Sequence, residues 1–467
     1  MKVQCKALSA AVAAALAILC TATAGAGEVS LSGLEATSHH QQFIVHYKAG
    51  GDAGRARAAW DASLSRAAST LRDARGNPPR MQFLRQLATG PMVVRSARPL
   101  DVAEAEQWMR SLANDPLVDH VEIDRILQPA LDPDDPRLGE QWGFSNGNAS
   151  LNVRPAWDMA TGEGQVVAII DTGRTRHPEL DANTLPGYDF ISNAGVAGDG
   201  NGRDANPDDP GDSQWGKPSS WHGTHVAGTV AALTNNGQGV AGTAFKARLV
   251  HARVLGKGGG YTSDIADAIV WSAGGRVNGV PDNAHPAKAL NLSLGGSGSC
   301  DRAMQAAVDS AIGNGATIVV AAGNSNADVS RFTPANCRGV IAVAATTSRG
   351  ARAGFSNFGT GITLAGPGEG ILSTINTGST SPGAPGYAVY SGTSMAAPHV
   401  AGVVALMQSA AGGTLAPDQV VGILKSTARR LPGACGGGCG AGIANAAGAV
   451  EKAMQAFVTA EQQAPGR

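Results

Sequence analysis

Residues 166–173 read Val-Val-Ala-Ile-Ile-Asp-Thr-Gly. The first five are apolar, mostly β-branched and without alternation, which predicts a strand covered on both faces. The same texture recurs at 317–321 (Thr-Ile-Val-Val-Ala) and 340–344 (Val-Ile-Ala-Val-Ala), and stretches of helical composition lie between, at 263–272 and 301–313. Strands alternating with helices in this way predict an α/β domain: a mostly parallel central sheet with helices on both faces. Ligands of such sheets bind beyond the carboxyl ends of the strands. Asp171 and Asn324 each stand just after a strand, so both are candidates for a site.

Upstream the texture differs. Residues 27–130 hold a strand at 43–47, helices at 55–75 and 102–112 and a strand at 120–124, a small α+β unit. The linker Leu131-Asp132-Pro133-Asp134-Asp135-Pro136 separates it from the α/β domain, because its prolines suit neither helix nor central strand. Residues 1–26 have the pattern of a secretory signal: Lys2 and Lys6, then an apolar run from Ala10 to Leu19 too short for a bilayer, then small residues. The domain expected for 131–455 is followed by a polar tail, 456–467. Charged residues are 16% and the formal net charge is -1, so composition offers nothing to nucleic acid or an anionic membrane.

Three segments carry chemistry: Asp171-Thr172-Gly173 at a strand end, His222-Gly223-Thr224-His225 opening an Ala-rich helix, and Ser391-Gly392-Thr393-Ser394-Met395-Ala396-Ala397-Pro398, a loop running into another. A serine hydroxyl needs a base to become a nucleophile, imidazole titrates near working pH, and a carboxylate fixes the imidazole tautomer. Asp171, His222 and Ser394 supply one group for each role. The backbone N–H of Ser394 at a helix start and the amide of Asn324 are candidate donors to an oxyanion. Competing readings lack a part. An aspartic peptidase needs a second Asp-Thr/Ser-Gly, a zinc hydrolase His-Glu-x-x-His, an esterase elbow Gly-x-Ser-x-Gly, and a dinucleotide site glycines after the first strand.

These motifs, in the order Asp, His, Ser, resemble the subtilisin-like (S8) serine peptidases, and within them the thermitase-like secreted bacterial enzymes, over residues 131–455. The resemblance implies an endopeptidase working through an acyl-enzyme, with His222 and not His225 as base. It implies that Leu255, Gly256 and Gly258 and, opposite, Ser293, Leu294 and Gly295 pair with an extended peptide substrate. Residues 27–130 resemble the inhibitory propeptide, an intramolecular partner removed by self-cleavage near Ala130-Leu131. A secreted monomer acting on protein substrates is expected, without nucleic acid or, after signal removal, membrane. Two alternatives of other classes are a catalytically silent binding protein and a lipid-ester hydrolase.

The resemblance also implies one structural Ca²⁺, and the closely spaced aspartates suggest a second. One site would use Asp135, Glu179, Leu233, Asn236, Gln238 and Val240, with Glu179 standing where the family has Asp. A second candidate is the acidic loop bearing Asp199, Asp204, Asp209 and Asp212, whose repulsion a cation would relieve. Cys300, Cys337, Cys435 and Cys439 remain after the leader; four cysteines in an exported chain favour disulfides over zinc. Cys300–Cys337 and Cys435–Cys439 are expected, the second closing a small loop eased by Gly436-Gly437-Gly438.

Overall fold

The structure, a computed structural model, describes residues 27–31, 33–34, 40–48, 53–72, 76–125 and 131–463. The leader at 1–26 and the residue before the expected cut, Ala130, lie outside the described residues. Contacts divide the chain into two compact units at about residue 128.

The first unit is a five-stranded sheet in the order Glu28–Val29, Val118–Ile123, His40–Tyr47, Met92–Leu100, Met81–Gln86, with helices Ala53–Ala68 and Val102–Ala113. The second helix begins at a capping box: Glu104 N–H donates to Asp101 Oδ1 at 2.8 Å, and Asp101 N–H to Glu104 Oε2 at 3.3 Å. Its buried residues Ala105, Trp108, Met109 and Leu112 follow helical spacing and meet Phe43 and Val45, alternate residues of the central strand. The expected α+β unit is what forms.

In the second unit seven parallel strands run in the order Leu364–Pro367, Ile341–Thr346, Thr317–Ala321, Ala289–Leu292, Val166–Asp171, Arg248–Arg253, Thr184–Asp189. The absence of alternation in Val166–Asp171 now has its reason. Val167 and Ile169 pack on one face with Val226 and Val400, while Ala168 and Ile170 pack on the other with Ile265 and Val308. Helices His222–Ala231 and Thr393–Ala410 cover the first face, Thr262–Ser272 and Arg302–Gly313 the second. Thr393–Ala410 contains no charged residue and is buried nearly all round, so it is the central helix of the unit. The antiparallel pieces are separate: the hairpin Ile371–Asn376 with Pro385–Tyr390, and the short pair Gly296–Ser297 with Phe332–Thr333.

One boundary moves. The polar tail expected from 456 is the continuation of helix Ala446–Gln463, and Phe457 packs against the main core, a long-range contact that composition does not signal.

Both expected disulfides form, with Cα–Cα distances of 5.1 Å for Cys300–Cys337 and 6.2 Å for Cys435–Cys439. The bridges span 37 and 4 residues. On loop-closure entropy, replacing the first pair by Ala costs about 4 kcal/mol of folding stability and the second about 2 kcal/mol. Denaturant titration of a Ser394→Ala background, chosen to prevent the expected self-digestion, checks this; equal losses for the two pairs would contradict it.

Candidate active site

The strand after Val166–Asp171 in sequence lies to one side of it, and the chain later crosses to Ala289–Leu292 on the other side. The strand order therefore reverses between these two neighbours, which opens a crevice at their carboxyl ends. Asp171 ends one strand and Ser293 follows the other.

Asp171 is fully buried; its Oδ1 accepts the Thr172 N–H and stands 2.8 Å from His222 Nδ1. In this pairing Nδ1 carries the proton and Nε2 is left with its lone pair. His222 is the first residue of its helix, and Gly223 explains how that helix reaches the strand end. A Cβ at position 223 would lie 2.2 Å from the Gly173 oxygen, so only glycine permits the approach. The Gly223 N–H donates to Thr172 Oγ1 at 3.0 Å. Burial, the largest single influence, pushes the His222 pKa down, but the charge and hydrogen bond of Asp171 together with the charges of Asp212 and Asp209 outweigh it. The net shift is upward.

His225 is placed elsewhere. It is buried, stacked on Tyr390 with centroids 4.5 Å apart, and its Nε2 stands 3.1 Å from the carbonyls of Ile371 and Ala388. Burial, then the neighbouring His222, push its pKa down to about 3, so it is a neutral strut between helix and hairpin. Tyr390 OH donates to the Ser220 carbonyl at 2.8 Å, drawing the starts of the two site helices together.

Ser394 is the second residue of the central helix. Pro398 has no N–H, so the Ser394 carbonyl lacks its helical donor. The Ser293 hydroxyl donates to it at 2.8 Å instead, and Ser394 Oγ donates to the Ser293 carbonyl at 3.1 Å. Asn291 Nδ2 donates to Ser293 Oγ at 2.9 Å. The serine is thus doubly tied to the end of the neighbouring strand. No hydrogen bond joins Ser394 to His222 in this arrangement.

Asn324 Oδ1 accepts from Thr393 N–H at 2.8 Å and from Thr393 Oγ1 at 3.0 Å, which leaves the amide Nδ2 free to face solvent. Its loop is held by buried Asn357, whose Nδ2 donates to the Ala322 carbonyl and whose Oδ1 accepts from Ser325 and Ala327. Thr393 was within a quoted motif without an assigned role. Asn357 carried no signal, since a lone Asn is most often a turn residue.

The two expected substrate segments border the crevice. Leu255, Gly256 and Gly258 follow strand Arg248–Arg253, where Leu255 N–H donates to the Asp171 carbonyl at 3.2 Å. Ser293, Leu294 and Gly295 follow strand Ala289–Leu292.

The first calcium set is partly assembled. Asp135 Oδ2 accepts the Asn235 N–H at 2.8 Å, Asn236 Nδ2 lies 3.2 Å from Glu179 Oε2, and Tyr387 OH donates to Glu179 Oε1 at 2.8 Å. Val240 N–H also reaches Glu179, and Leu233 N–H donates to its backbone carbonyl. Gln238 N–H donates to Asn236 Oδ1 at 3.0 Å. Asp135 and Glu179 are buried, and burial raises the pKa of both, with Asp134 adding at Asp135 and Asp135 adding at Glu179. Buried carboxylates short of positive charge, among oxygen donors, fit a calcium ion.

The second calcium set does not assemble. Asp199 pairs with buried Arg253 at 2.8 Å, Asp204 accepts from Asn201 and Asn206, Asp209 from Gly211, and Asp212 from Ser220 N–H and Oγ. Among the described residues no three His, Cys, Asp or Glu groups converge as a metal cluster. The loop's negative charge is instead taken up by Arg253 and by backbone donors. Asp209, a buried carboxyl, is pushed up to about 7 by burial.

Comparison with known proteins agrees with this geometry. The sequence profile of the Subtilase family (Peptidase S8) matches residues 162–449. The extracellular protease of Xanthomonas campestris pv. campestris is 57% identical over 94% of this chain and 77% of its own length. The extracellular basic protease of Dichelobacter nodosus is 46% identical over 80% of this chain, which spans 64% of that protein. A solved protease of Pseudoalteromonas arctica superposes with a TM-score of 0.68 at 51% identity, covering 69% of this chain and 99% of that one. Among the described residues no helix is long and apolar enough to cross a membrane. With the parallel sheet and its Asp-His-Ser order, these matches place the chain in the subtilase family of serine peptidases.

Proposed function

We propose that the chain is the precursor of a secreted serine endopeptidase. The observation that carries this is the Asp171–His222 pair at 2.8 Å, set at the reversal of strand order beside a serine held at the start of a buried helix. In the reaction the Ser394 hydroxyl rotates from the Ser293 carbonyl toward His222 Nε2 and gives up its proton as it attacks the peptide carbonyl. Asp171 holds the imidazolium that results. Asn324 Nδ2 and the Ser394 N–H donate to the tetrahedral oxyanion, and His222 returns the proton to the leaving amine. Water then repeats the sequence on the acyl-enzyme. An extended substrate adds as a strand between Leu255–Gly258 and Ser293–Gly295. Residues 27–130 act as an inhibitor cleaved by the enzyme itself, and the mature protein is a monomer.

Ca²⁺ bound by Asp135, Glu179, Asn236 and the carbonyls of Leu233, Gln238 and Val240 would neutralise the buried carboxylates and fasten the start of the mature chain. It takes no part in the chemistry.

Ser394→Ala should fold and lose about a million-fold in turnover, the loss seen when subtilisin loses its serine. The same variant should accumulate as uncut precursor. Substantial residual turnover, measured on a fluorogenic peptide, would remove Ser394 from the nucleophile's role.

The general base works neutral, and its pKa is raised, so kcat/KM should fall on acidification through a value above the ordinary imidazole value. Asp212→Asn removes one raising charge and should move this acid limb to lower pH. A limb that stays in place would show that Asp212 does not act on His222.

Chelation should lower the unfolding temperature while leaving turnover of folded molecules unchanged. Without the ion, carboxylates with raised folded-state pKa destabilise the fold above that pKa and cease to do so once protonated. The chelator's effect should therefore be larger at neutral than at acid pH. A melt unmoved by chelator at neutral pH would exclude this site.

A further inference from the structure

Among the described residues of the second unit, four large apolar or aromatic side chains are exposed: Met159, Trp215, Tyr261 and Val389. Trp215 stands apart at 84% exposure. An indole left in water forgoes the burial that aromatic side chains ordinarily contribute. Its backbone adds a second cost: φ is 52°, the left-handed region that bulky residues avoid.

The loop that carries Trp215 is not loose at its base. Ser219 N–H donates to the Ser379 carbonyl at 2.7 Å, Ser220 is held twice by Asp212 at 2.6 Å, and Trp221 Nε1 donates to the Gly378 carbonyl at 2.7 Å. The tip is closed by the Lys217 N–H on the Gln214 carbonyl at 3.0 Å. Beside the tryptophan, the Gln214 side chain rests on the substrate segment: a Cβ at Gly258 would lie 3.1 Å from Gln214 Oε1. The loop then runs straight into His222. A strained, solvent-exposed indole is therefore carried on a loop with an anchored base, next in sequence to the residue that touches Gly258 and seven residues before His222.

We propose that Trp215 is a specificity-determining residue: its indole walls a subsite for a bulky apolar or aromatic side chain of the extended substrate, at a position flanking the scissile bond along Leu255–Gly258. The occupant is polypeptide substrate, because the loop touches the segment against which substrate lies. Binding there covers the indole, and the fixed base means that little order is lost when it does. The inference rests on the proposed peptidase reading.

The test is digestion of a diverse unstructured peptide mixture by the autoprocessed enzyme and by Trp215→Ala, with sequencing of the products. Wild-type cuts should be enriched for an aromatic or large aliphatic residue at one flanking position, and Trp215→Ala should lose that enrichment. For a matched peptide pair, kcat/KM should fall about 10- to 100-fold on the bulky-flank peptide, as expected for one buried apolar side chain, and stay within about twofold on its glycine counterpart. Trp215→Phe should restore most of the preference. An unchanged preference in Trp215→Ala, no enrichment in the wild type, or an equal loss on both peptides, the mark of a displaced His222, would each overturn the proposal. All three leave the peptidase reading standing, since that reading falls only if Ser394→Ala remains active.

Discussion

A helix can begin against the end of a buried strand only if nothing stands between the two backbones. At Gly223 the gap to the Gly173 oxygen is too small for a methyl group. That contact sets where His222 starts and hence its distance to Asp171. It also leaves the Gly223 N–H, one of the unpaired donors of the first turn, to be taken by Thr172 Oγ1. On the opposite side of the crevice the constraint is a missing donor rather than a missing side chain. Pro398 frees the Ser394 carbonyl, and Ser293 fills the vacancy, so the central helix is moored to strand Ala289–Leu292 at the residue that must be placed most closely. Both devices are local irregularities of helices that are otherwise buried and regular.

Charge around the site is organised on a longer scale. Arg253, buried in the strand next to Asp171, pairs with Asp189 and Asp199 and also donates to the Ala197 carbonyl. A buried guanidinium left unpaired would be costly, and the acidic loop supplies its counter-charge. The same loop places Asp209 and Asp212 where they raise the proton affinity of His222. One run of aspartates thus serves the sheet on one side and His222 on the other. Trp215 rides on the last part of that run.

The loop after the first site helix joins three distant parts of the chain. Asp135 comes from the start of the unit, Glu179 from the turn after the first strand, and Tyr387 from the hairpin leading to Ser394. The two oxygens of the Glu179 carboxylate meet Asn236 and Tyr387, which couples this loop to the hairpin that leads to Ser394.

Much of the protein was legible in residue order alone. Val166 to Ile170 announced a doubly covered strand because a strand with no polar face has nowhere to meet water. Asp171, His222, Ser394 and Asn324 stood out as candidates in the sequence because of their residue types, their places at strand ends and helix starts, and the resemblance of their motifs. The exported context favoured disulfides, and the glycines 436–438 between Cys435 and Cys439 favoured the pairing that forms. Tertiary structure decided what depends on partners far along the chain. Asp199 looked like a metal ligand until Arg253, 54 residues away, claimed it. The tail after 455 looked solvated until Phe457 found the core. Asn357, which holds the Asn324 loop, had no signature of its own, and Ser293, read as a substrate-pairing residue, gave no sign that its hydroxyl would bond to the Ser394 carbonyl. Local sequence encodes what a segment prefers, whereas the identity of a hydrogen-bond or ion-pair partner is settled only when strands and helices from distant segments are brought together.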